Sequence, residues 1–149
     1  MSLIVAVKVI HVVAAIVAVG ANVTYALWLN RAKRDRAHLT FALHGIRQLD
    51  SFVANPAYVV LGITGPAMVL LGAFSFTQGW IVVSLALYVV VAVLGIAVFA
   101  PALRRQAAEA ERDATSAAYA AAERRTSILG AITTGIALVI VVLMVSKPF

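Results

Sequence analysis

Charge in this chain comes in bunches, and the gaps between the bunches are long enough to cross a bilayer. Arg31, Lys33, Arg34 and Arg36 form one bunch, and Arg104 to Arg125 hold another. The uncharged stretches run to about 20 residues or more, the length at which an apolar helix spans a hydrocarbon core. Such a chain cannot fold as a soluble domain. Only 12% of its residues are charged and 63% are hydrophobic, against roughly a quarter and a half in globular proteins. The reading is an all-α membrane protein, a four-transmembrane-helix bundle. Its spans fall at about 3–29, 56–76, 80–101 and 127–146, with polar segments at about 30–54 and 102–126. The 149 residues allow one such unit and no separate soluble domain.

The first span is broken only by Lys8, His11 and Asn22. It is too long for the apolar core of a cleaved signal peptide and starts uncharged. Asn22-Val23-Thr24 matches a glycosylation sequon, which has no meaning at that depth. In the first polar segment Leu39, Leu43, Ile46 and Phe52 recur at helical spacing. That pattern predicts an amphipathic interfacial helix in the first cytoplasmic loop. Asn55-Pro56 then starts the second span, with proline in a tolerated first turn. Gly62, Gly65, Pro66 and Gly72 lie inside that span, where they permit close helix contact or a kink. The alanine-rich segment after Leu103 predicts a helical hairpin with its turn near Arg112 to Ser116.

Orientation follows from the cations. The first and third loops carry the arginines, and the second carries none. The positive-inside rule makes both long loops cytoplasmic, with both termini outside, in a cell inner membrane. The net charge of +6 therefore points to lipid headgroups and not to nucleic acid. The absence of cysteine removes disulfides, iron–sulfur clusters and thiolate chemistry. No H-E-x-x-H, G-x-S-x-G or P-loop is present, and the spans hold no Asp or Glu for acid–base work or cation pumping. No internal repeat is visible, which disfavours an inverted-repeat transporter within one chain.

Polar residues within lipid are costly and are functional candidates. At 100° per residue, Lys8, His11, Ala14, Ala15, Ala18, Asn22 and Tyr25 share one small, polar face of the first helix. His11 sits some 12 Å below the outer end, level with Ser84 and Tyr88 and roughly with Met144. His11, Tyr88 and Met144 are the candidate cofactor ligands, with haem b the cofactor that fits a lone histidine. A structural hydrogen bond and a proton or substrate contact remain open for His11. Lys8, Asn22, Tyr58, Thr133 and Thr134 are candidates for a substrate pathway. Lys8 also reads as a snorkelling interface residue, and Asn22 as interhelical glue. His38, His44, Arg47 and Asp50 read as a solvated face. His38 and His44 are more than about 20 Å from His11 along the axis, too far to share a haem with it.

Several stretches resemble known families. His11, Gly20 and Ala26-Leu27-Trp28-Leu29 are similar to the first helix of small bacterial membrane proteins catalogued as domain of unknown function 2269. Asp50 to Gly72, with Asn55-Pro56 and Thr64-Gly65, resembles the second helix of that family, and Leu143 to Pro148 its carboxyl terminus. More distantly the chain resembles copper-resistance D proteins and HemJ-type protoporphyrinogen oxidases, which also place a histidine early in the first helix before a glycine. The HemJ resemblance implies haem binding at that histidine. The aromatic run that follows it in the HemJ type is Val12 to Val19 here. The nearest family implies fold and location. Three functions are consistent with the sequence: a haem- or metal-binding protein, an oligomeric transport or permeation subunit, and an accessory subunit of a larger membrane complex.

Overall fold

The structure, a computed structural model, describes residues 2–34 and 36–148, without the side chains of Lys33 and Arg36. Among the described residues all regular structure is helical. Helix α1 spans Leu3–Arg34, followed by a 3-10 turn at Arg36–His38. Helices α2 (Leu39–Leu49) and α3 (Asn55–Leu70) follow, then α4 (Gly79–Val93), α5 (Ala100–Asp113) and α6 (Ala117–Ser146). Four stretches are long and apolar enough to cross a membrane: Leu3–Ala32, Leu39–Leu70, Gly79–Asp113 and Ala117–Ser146.

Two of those stretches are double helices in series. A π turn at Asp50–Ala54 joins α2 to α3, and another at Leu94–Phe99 joins α4 to α5. In each, a backbone N–H reaches five residues back, Asn55 to Asp50 O and Ala100 to Gly95 O. A proline follows immediately, Pro56 and Pro101. In a regular helix each ring would strike the carbonyl four residues earlier and leave it without a donor. The wider turn moves that carbonyl aside, so the rod continues. Pro56 therefore lies inside one continuous rod, Leu39–Leu70, of which α2, read from the sequence as a surface helix, is the first part.

The second rod ends at Leu70, short of the Phe76 expected for its span. Gly72 adopts φ +79, and its N–H bonds Val69 O at 3.0 Å while Ala73 N–H bonds Met68 O at 3.0 Å. This is the paired closure that a glycine in the left-handed region gives a helix end. The hairpin between α5 and α6 turns at Ala114–Ser116. Asp113 accepts from Thr115 there, and the Ser116 hydroxyl caps α6 by accepting from Tyr119 N–H at 3.0 Å.

Packing is uneven along the bundle axis. The large core lies at the arginine-rich end, where Tyr25 and Leu29 of α1 meet Leu39, Leu43 and Ile46 of α2, Phe99, Leu103 and Ala107 behind them, and Tyr119 of α6. Leu39, Leu43 and Ile46 of the stripe read as lying at the membrane surface thus face protein, with Leu43 at 0% exposure, whereas Phe52 of that stripe is 78% exposed. The opposite end has only a small cluster of Ala14, Ala18 and Ala57. There α1 packs on α3 and α4 packs on α6, whereas α3 and α4 hardly touch. The space between the two pairs holds the candidate site.

Candidate ligand cavity

The seam between α1 and α3 is clamped at both ends of an alanine patch. Ala14 and Ala18 pack on Ala57, close enough because none carries more than a methyl group. One turn outward, His11 Nδ1 lies 2.7 Å from Thr64 Oγ1. One turn inward, Asn22 Nδ2 donates to Tyr58 Oη at 2.6 Å. The threonine settles which proton His11 carries. Its hydroxyl donates to Val60 O at 2.7 Å, and a hydroxyl has one proton to give. Its oxygen can only accept from His11, so Nδ1 bears the hydrogen. In the neutral ring Nε2 then keeps its lone pair, the arrangement that suits a histidine for ligation.

His11 lies in the wall of a cavity of about 620 Å³ bounded by α1, α3, α4 and α6. The space is open on one side, so it has room for a bound ligand or for a lipid chain. One glycine of α3 shapes it. A Cβ on Gly62 would collide with the Tyr88 hydroxyl, whereas one on Gly65 would sit in ordinary contact with His11 Cε1 at 3.5 Å. Freed of that obstacle, Tyr88 Oη donates to Tyr58 O at 2.8 Å and bridges α4 to α3. Ser84 Oγ, 1% exposed, has no partner among the described residues. The mouth carries Lys8 and Lys147, and no carboxylate is among the described lining residues. Lys147 Nζ stands 4.9 Å over the Phe74 ring and 5.8 Å from that of Trp80, which pack edge to face at a centroid distance of 5.3 Å.

Of the residues singled out in the sequence, Lys8, His11, Tyr58, Tyr88 and Met144 line this cavity together. Asn22 lies behind the wall, tied to Tyr58. Thr133 and Thr134 are not in the lining, and Thr133 donates within its own helix to Leu129 O at 3.0 Å. The sequence reading named Thr64 only in the family resemblance and gave neither it nor Lys147 a role in a site. The signal for Thr64 is its place one residue before Gly65, within the glycine-rich part of the second span. No group of three or more His, Asp or Glu able to hold a bare metal ion exists among the described residues.

A second polar layer lies at the arginine-rich end. Asp50, read from sequence as solvated, is buried at 9% exposure. It accepts from Asn55 Nδ2 at 3.3 Å. His44 Nε2 meets Glu111 Oε1 at 2.7 Å, which fixes the antiparallel register of α2 against α5. Gln106 is fully buried with both amide atoms unpartnered among the described residues, and the Tyr25 hydroxyl is likewise buried without a partner.

Residues 5–148 match the model of a family described as "Predicted integral membrane protein (DUF2269)". This chain belongs to that family. No curated protein and no solved structure matches it. The DUF2269 match makes the chain an integral membrane protein, in agreement with its four apolar spans.

Proposed function

We propose that this DUF2269 protein binds a ligand with an apolar body and an anionic end in the cavity between its helix pairs, and that haem b is that ligand. The observation that carries the reading is the chain from His11 Nδ1 to Thr64 Oγ1 to Val60 O, which leaves Nε2 unprotonated beside a cavity of about 620 Å³. The donor set fits the group. His11 would be the ligand to iron, and Met144 lies in the same lining. Lys8 and Lys147 at the mouth match the carboxylates of a haem, and the aromatic and aliphatic walls match its macrocycle. Bound there, haem would supply a one-electron redox couple. The protein's part is to fix the imidazole tautomer, to exclude water and to neutralise the anionic edge. The early histidine of the first helix, which resembles that of HemJ-type proteins, is in keeping with this reading. With the arginine-rich end cytoplasmic, the cavity opens towards the outer leaflet and both termini lie outside.

The test is the visible spectrum of detergent-purified protein from haem-supplemented cells, oxidised and reduced. The expected result is a Soret band that shifts on reduction and disappears in His11→Ala. A flat wild-type spectrum, or one unchanged in His11→Ala, overturns the haem reading and returns the cavity to a lipid-like or transported ligand.

A further inference from the structure

Helix α2 has two apolar stripes, and the core covers only one. Leu39, Leu43 and Ile46 are buried. Phe41, Gly45, Leu49 and Phe52 recur along another face, where Phe41 is 79% and Phe52 78% exposed. Half-exposed Trp28 of α1 stands beside this second stripe. Between them runs a groove of about 550 Å³, lined by Trp28, Phe41 and Leu49 and rimmed by Arg31, Arg34 and His38. Arg31 and Arg34 lie one helical turn apart, are exposed, and make no ion pair among the described residues. No carboxylate is among the described lining residues. An apolar floor with a guanidinium rim at the basic end of a membrane bundle has the chemistry of one occupant. Arginine forks match the oxygens of a phosphodiester, and the aromatic floor matches an acyl chain.

We propose that this groove is a specific site for an acidic phospholipid, its headgroup at Arg31 and Arg34 and one chain along Trp28, Phe41 and Leu49. The site is separate from the cavity at the other end of the bundle and stands whether or not that cavity holds haem. It also accounts for the exposure of Phe41 and Leu49.

The chain holds two tryptophans, Trp28 in the groove and Trp80 in the cavity wall. Trp80→Phe therefore leaves one reporter at the site. The full chain carrying that substitution is reconstituted in phosphatidylcholine vesicles with increasing dibrominated phosphatidylglycerol or dibrominated phosphatidylcholine, and Trp28 quenching is followed. The expected result is half-maximal quenching at a mole fraction of the acidic lipid lower by roughly fivefold to thirtyfold, about the factor that one to two cations beside an anionic surface contribute. Arg31→Gln with Arg34→Gln abolishes that preference, while the double lysine variant keeps most of it at unchanged helix content by circular dichroism. Equal quenching by the two lipids, no quenching by either, or a preference that survives the double glutamine variant overturns the proposal.

Discussion

Hydroxyl groups in this bundle look alike in the sequence and differ in what they hold. Thr64 is bonded both to its own helix and to His11 of another, whereas Thr133 is bonded only within α6. Thr64→Val is expected to lower stability by about 1 kcal/mol, within the range for interhelical hydrogen bonds in membranes. Thr133→Val is expected to change it by much less. Unfolding in mixed micelles of rising detergent denaturant measures both. Gln106 is the reverse case, a buried amide with neither atom partnered. Gln106→Leu keeps the volume and removes an unpaired group that costs on the order of 1–3 kcal/mol. The variant is expected to melt higher than wild type, and a lower midpoint would mean that the amide holds an occupant. Gly62→Ala is expected to dislodge Tyr88, while Gly20→Ala, with open space at its Cβ, is expected to be neutral. Chemical shifts of labelled tyrosine would separate the two.

At the scale of elements, the π turns before Pro56 and Pro101 are the devices that let two rods pass through a proline. A π turn holds one residue more than the α-helical turn it replaces. Deleting Ala97 together with Pro101→Ala is therefore expected to restore a regular helix and leave the partners of α4 and α5 in register. Deleting Leu138 from the uninterrupted α6 is expected to rotate everything beyond it and unfold the bundle. Thermal melts of the two deletions decide between these outcomes. The four rods were legible in the sequence because long uncharged stretches need no partner to declare themselves. The role of α2 was not. Periodicity showed that Leu39, Leu43 and Ile46 share a face, but it cannot tell whether lipid or α5 covers that face. Nor could it join α2 to α3, because the junction depends on how the backbone yields to Pro56. Of the cavity, His11, Tyr58, Tyr88 and Met144 were found by depth and face. Thr64 was given no role there because a threonine in a helix ordinarily bonds its own backbone, as Thr133 does.

For the molecule as a whole, charge sets one end apart from the other. Apart from Lys8 and Lys147, every lysine and arginine lies at the end that holds the packed core. The expectation that this end is cytoplasmic can be tested cleanly, because the chain has no cysteine of its own. Ser2→Cys and Ser75→Cys are expected to react with an impermeant maleimide on intact spheroplasts, and Thr115→Cys only after lysis. The packing asymmetry has a mechanical consequence. The bundle is built like a tuning fork, stiff at the stem and open between the tines. The gap between α3 and α4 is spanned by the hydrogen bond from Tyr88 to Tyr58. Loss of that one bond, as in Tyr88→Phe, is therefore expected to loosen the tines and leave the stem unchanged.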